Sequence, residues 1–146
     1  YEAASGLWGE LQCGSYVFMD RDYADNEALP DRLGAPRFEH ALFVKSQVVS
    51  RADDRAVVDA GHKSHAIDSG LPRVWQRDDL DFCNGGDEHG VLRAAVPGAA
   101  LPALGDCVWL VPGHCDPTIN LHDVIVVSRN DVVIDLWPIE ARGALF

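Results

Sequence analysis

The sequence predicts a mainly β fold, a barrel or a sandwich. Short stretches of strand-like alternation recur along the chain, glycine or proline punctuates nearly every gap between them, and no long window keeps a helical period. The 146 residues suit one domain, and 47% hydrophobic content against 24% charged can bury a core. In chain order, the first twelve residues carry a weak amphipathic signal and residues 11–20 read as a short strand. Residues 20–37, rich in acids and holding Pro30, Gly34 and Pro36, read as a connecting loop. Strands are expected over residues 41–49, 56–59, 74–76, 90–95, 106–111, 123–128 and 132–138. The last two meet at Arg129-Asn130-Asp131, residues that tolerate hairpin geometry.

Charge narrows the partners. Twelve basic residues against 23 acidic ones give a net charge of −11, which excludes nucleic acid and anionic membranes as expected partners, because both need a cationic surface. No apolar run is long enough to span a bilayer, and no signal-like segment is present. The opening Tyr1-Glu2-Ala3 suggests a piece of something longer. Cys13, Cys83, Cys107 and Cys115 form no CxxC, which speaks against a zinc ribbon, a thioredoxin-like motif or a disulfide scaffold. Reduced thiols in a cytoplasmic protein are the plain expectation, with Cys83 and Cys107 as core fillers.

Three polar clusters stand out. The first, residues 59–65, contains Lys63, an amine that could form a Schiff base, although a solvated turn explains it more simply. The second, Asn84-Gly85-Gly86-Asp87-Glu88-His89, reads as a hairpin turn. Its functional alternative places Asp87, Glu88 and His89 at a pocket mouth as acid, base or hydrogen-bond donor. The third runs over residues 112–123 and includes Pro112-Gly113-His114-Cys115-Asp116-Pro117. Bracketing prolines favour extended backbone there, and residues two apart would then share a face. His114 and Asp116 would point together, with Cys115 turned away, as a pair suited to Mn²⁺, Mg²⁺, Co²⁺ or Zn²⁺. A plain turn with a capping Asp is the bland alternative. His122 reads as a supporting or structural residue.

The strings Glu10-Leu11-Gln12-Cys13-Gly14-Ser15-Tyr16-Val17-Phe18-Met19-Asp20, Asp59-Ala60-Gly61, Asp87-Glu88-His89-Gly90, residues 112–123 and Trp137-Pro138-Ile139-Glu140-Ala141-Arg142-Gly143 together resemble the D-threonine aldolase and D-serine dehydratase family. The resemblance runs in order along essentially the whole chain. It implies a pyridoxal-phosphate enzyme of the alanine racemase type, with an N-terminal α/β barrel followed by a β domain. Residues 1–22 would be the end of that barrel, with its last strand near residues 9–19, and residues 23–146 the C-terminal β domain. It also implies a divalent metal on His114 and Asp116. The Schiff-base lysine is expected in the missing barrel, since neither Lys45 nor Lys63 matches it, so no cofactor-binding residue is assigned in this chain.

The implied reaction is cleavage of a β-hydroxy-D-amino acid, D-threonine or 3-hydroxy-D-aspartate in type, to glycine and an aldehyde. Dehydration of D-serine or 3-hydroxy-D-aspartate to ammonia and a 2-oxo acid is the alternative. Within the family it resembles, dehydratases acting on D-serine are expected to carry His-x-Cys, whereas His114-Cys115-Asp116 puts oxygen in the second position and shifts preference from Zn²⁺ toward Mn²⁺ or Mg²⁺. The expected partners are the small substrate, the barrel of the same or another polypeptide, and a second copy in a homodimer. For the isolated chain, a non-catalytic assembly domain competes with these readings.

Overall fold

A computed structural model describes residues 5–26 and 37–144. Six strands form one antiparallel sheet: β1 (Val44–Arg51), β2 (Ala56–Val58), β3 (Arg73–Val74), β4 (Leu80–Asn84), β5 (Gly90–Ala94) and β6 (Cys107–Val111). Their order is β3-β6-β1-β2-β5-β4, and the outer strands β3 and β4 approach each other, so the sheet curls into a nearly closed barrel. The expected β architecture is therefore the observed one. Alternation explains the core: Ser46 and Val48 of β1 face inward while Lys45, Gln47 and Val49 face out. Val48 meets Ala56, Val58, Leu92 and Leu110 in a cluster that is essentially sealed from solvent.

Strand β4 is absent from the sequence-based list. Leu80 and Phe82 point inward and pair across to Ala94 and Leu92, but the flanking Asp79, Asp81 and Asn84 mask so short an alternation. The converse error falls at residues 11–20. No strand forms there; Ser15–Val17 is a 3-10 turn, and Leu11, Tyr16 and Val17 are exposed. A strand exists only through a paired neighbour, and none of the described strands reaches this segment. Within the predicted 20–37 loop lies a single helical turn, α1 (Arg21–Ala24), into which the expected boundary between residues 22 and 23 falls. Residues 27–36 of that loop and 1–4 of the amphipathic start lie outside the described residues.

After β6 the chain makes a second short helix, α2 (Cys115–Ile119), then a separate ribbon of β7 (Val124–Arg129) and β8 (Val132–Pro138). Its tip is the two-residue turn Asn130-Asp131, both with positive φ (50° and 62°), as the sequence suggests. Val124, Val126, Ile134 and Leu136 leave this ribbon with an exposed aliphatic surface. Among the described residues, no helix is long and apolar enough to cross a membrane.

The sealed core gives a direct test. Leu92→Ala removes a side chain that is 0% exposed, and should cost about 2–5 kcal/mol in urea unfolding.

Candidate metal centre on the barrel rim

Helix α2 begins where the chain leaves β6. His114 is still extended (φ −143°, ψ 125°), and Cys115 starts the helix. Asp116 and Pro117 occupy its first turn, where a carboxylate is favoured and a missing N–H costs nothing. The expected extended run over 112–123 is thus interrupted after His114, because Pro117 suits a first helical turn as well as it suits a strand end. The predicted alternation fails, but the side chains still separate. Cys115 is fully buried, His114 is half-buried and Asp116 is exposed.

His114 makes no cap to its own helix. Asp20 does that work from far along the chain. Its buried carboxylate accepts from Cys115 N (3.1 Å) through one oxygen and from Tyr23 N (3.0 Å) through the other. Arg21 N and Asp22 N donate to the carbonyls of Pro112 and Gly113, which seats α1 against the entry to α2. On the other side, Thr118 Oγ1 donates to His114 O (2.7 Å) and accepts from Ala66 N (3.0 Å). His122 Nε2 donates to Ser64 O (2.8 Å), a structural tie of the kind expected of it. Gly113 packs on the carbonyl of Gly70 so closely that any Cβ would overlap it. Arg142 closes the far end of α2, donating to Asn120 O and pairing with Asp123.

The 61–69 loop also reaches the second polar cluster. Gly61 nests against the backbone of Gly86, Asp87 and His89, leaving no room for a side chain. His62 Nε2 donates to Asp87 Oδ1 (2.9 Å), and Lys63 Nζ pairs with Glu88 (3.1 Å) and Asp87 (3.5 Å). Hydrogen bonds that Lys63 donates to Glu88 and then to Asp87 hold its ammonium above its usual pKa, so it remains a charged surface amine. Asp87, Glu88 and His89 are all exposed. They line neither the groove walled by Trp75 and Trp109 nor the one beside Arg73 and Phe82. Lys45 lies over the Trp109 ring, 5.4 Å from its centre. The three sequence clusters therefore meet through one loop.

Electrostatics distinguish the donors. The Asp68 carboxylate accepts from His114 Nδ1 at 2.6 Å, and this bond, with the nearby charges of Asp116 and Asp20, raises the imidazole pKa. Burial, reinforced by Asp20 and Asp116, pushes the Cys115 thiol up to about 12, which keeps it in the thiol form near neutral pH. Cys107 is exposed and Cys83 half-buried, so the expected core role falls instead to Cys115; all four cysteines are free thiols. Among the described residues no three His, Cys, Asp or Glu side chains converge on a ready-made metal cage. Asp68, Asp20 and Thr118 carry no local signal linking them to His114, although Asp20 before Arg21 is a legible N-cap.

These features define a barrel-like β domain whose rim offers an imidazole and a neighbouring carboxylate. The chain belongs to the family described as "Putative serine dehydratase domain", whose pattern matches residues 41–128. It is 46% identical to a 3-hydroxy-D-aspartate aldolase of Paracoccus denitrificans over 98% of this chain and 37% of that protein. It is 49% identical to a D-threonine aldolase of an Arthrobacter species, again over 98% and 37%. The crystal structure of D-threonine aldolase from Filomicrobium marinum superposes with a TM-score of 0.85 at 47% identity, over 97% of this chain and 37% of that one. A D-threo-3-hydroxyaspartate dehydratase shares the fold at 22% identity and a TM-score of 0.59, over 68% of this chain and 32% of that one. The chain spans 37% of the length of the aldolases it matches.

Two outcomes follow from this geometry. Asp20→Ala leaves two backbone donors without their acceptor and should destabilise the chain by roughly 2–4 kcal/mol in urea unfolding. His65 is fully buried against Phe82, and burial lowers its pKa. The unfolded imidazole takes up a proton near pH 6.5 while the buried one resists, so stability present above about pH 6.5 is lost as the pH falls. The stability difference between the wild type and His65→Leu should therefore move against the wild type from pH 8 to pH 5, measured by thermal melting.

Proposed function

We propose that this chain is the C-terminal, metal-carrying part of a pyridoxal-phosphate-dependent lyase that cleaves β-hydroxy-D-amino acids to glycine and an aldehyde. The observation that carries the proposal is 46–49% identity to two aldolases over 98% of the chain. Identity to the dehydratase structures is only 21–22%. Residues 1–22 would lead out of the preceding α/β barrel, and residues 23–146 would form the β domain beside it. That barrel, on the same polypeptide or a partner chain, would hold the cofactor, and two copies would associate. A cytoplasmic location belongs to the same reading, supported by four free thiols.

The donor set at the rim fits a divalent cation. His114 Nδ1 is committed to Asp68, which leaves Nε2, and the Asp116 carboxylate accepts no hydrogen bond among the described residues. One imidazole and one carboxylate, with no thiolate in the pair, favour Mn²⁺ or Mg²⁺ over Zn²⁺. Two protein ligands leave coordination positions for water and substrate. A metal there would lower the pKa of the substrate's β-hydroxyl, and the cofactor would supply an electron sink for the breaking Cα–Cβ bond. The chain's own part is to orient the substrate oxygen at the rim and to keep acids around it. Asp87, Glu88 and His89 would border the same entrance, with Asp87 steadied by His62.

Full-length protein given D-threonine, D-serine and the 3-hydroxy-D-aspartate isomers should release glycine with an aldehyde or glyoxylate. Ammonia with a 2-oxo acid, and no glycine, would replace the aldolase reading with the dehydratase one. Chelation followed by dialysis should abolish turnover, and Mn²⁺ should restore it; full activity after chelation would remove the metal from the reading. His114→Ala and Asp116→Ala should each lower activity by roughly a hundredfold or more while the cofactor absorbance persists. The isolated chain, mixed with pyridoxal phosphate and D-threonine, should yield no glycine.

A further inference from the structure

We propose that Asp68 is a positioning residue for His114, fixing the imidazole in the tautomer and orientation that leave Nε2 open to a divalent cation. This rests on the metal reading of His114 and Asp116 given above. A carboxylate can only accept, so at 2.6 Å the proton must sit on His114 Nδ1, and in the neutral ring the lone pair then belongs to Nε2. His62 offers the contrast, because both of its ring nitrogens are engaged, Nε2 by Asp87 and Nδ1 by Asn84.

The loop that carries Asp68 is held in place from several sides. It is tied to α2 by Ala66 N on Thr118 Oγ1, and the same hydroxyl fixes the carbonyl of His114. Two residues further on, the carbonyl of Gly70 fills the space where a Cβ of Gly113 would lie. Gly70 N closes that turn on Ile67 O. The backbone segments that carry Asp68 and His114 are thus tied together on both sides of the Nδ1–Oδ2 contact. Asp68 is itself 52% exposed, and an ion pair so open to water stabilises a fold very little. A carboxylate behind a ligating imidazole has a different use, since it orients the ring and increases its basicity toward the metal.

The test is Mn²⁺ binding to the full-length protein, followed by the loss of the free-ion electron paramagnetic resonance signal. Asp68→Ala should weaken Mn²⁺ about 10–100-fold with the melting temperature unchanged. Asp68→Asn, whose amide oxygen still accepts from Nδ1–H, should recover part of that loss. His114→Ala serves as the reference for a missing ligand. Wild-type affinity in Asp68→Ala and Asp68→Asn, with binding lost in His114→Ala, overturns the role of Asp68 and leaves the metal site standing. Undiminished Mn²⁺ binding in His114→Ala overturns the site and the role of Asp68 with it.

Discussion

The buried carboxylate of Asp20 is the contact on which the rim depends. A helix as short as α2 cannot offset its own unsatisfied amides, and His114, the natural capping position, is turned toward Asp68 instead. Asp20 supplies the missing acceptor to Cys115 N, and the neighbouring amides of Arg21 and Asp22 bind the carbonyls of Pro112 and Gly113. The backbone before and after His114 is thereby fixed from a segment 95 residues away from Cys115. Asp20 therefore does for α2 what the side chain of its own N-cap residue, His114, does not.

The 61–69 loop plays the complementary part. It is pinned at one end by the nest around Gly61 and at the other by Gly113, two places where only glycine fits. Between them it bonds to Asp87 and Glu88 on one side and to Thr118 and His122 on the other. Polar residues that the sequence scatters over some sixty positions become neighbours along one edge of the barrel. That edge is acidic, which suits a cation better than an anion.

The β7–β8 ribbon has a different character. Two strands alone are marginally stable in water, and this pair presents Val126, Ile134 and Leu136 to solvent while the barrel keeps its own aliphatic residues inside. The same chain is 37% of the length of the aldolases it resembles. Barrel and ribbon therefore differ in how far this chain satisfies them: the barrel buries its own core, the ribbon does not.

The β class, most strand positions and the Asn130-Asp131 hairpin were legible in the sequence, because alternation and turn chemistry are local properties. The residue types at His114 and Asp116 were legible too, since donor chemistry belongs to the side chain wherever it lies. Strand β4 escaped because acids flank its two inward residues, and the strand expected over 11–20 failed because pairing partners are not encoded in the segment itself. Tertiary structure alone decided that Cys115 is the buried cysteine, that Asp20 caps α2, and that Asp68 stands behind His114. Each of these depends on where distant backbone is placed by packing. A hydrogen bond between residues 46 or 95 positions apart leaves no periodicity in the sequence from which to read it.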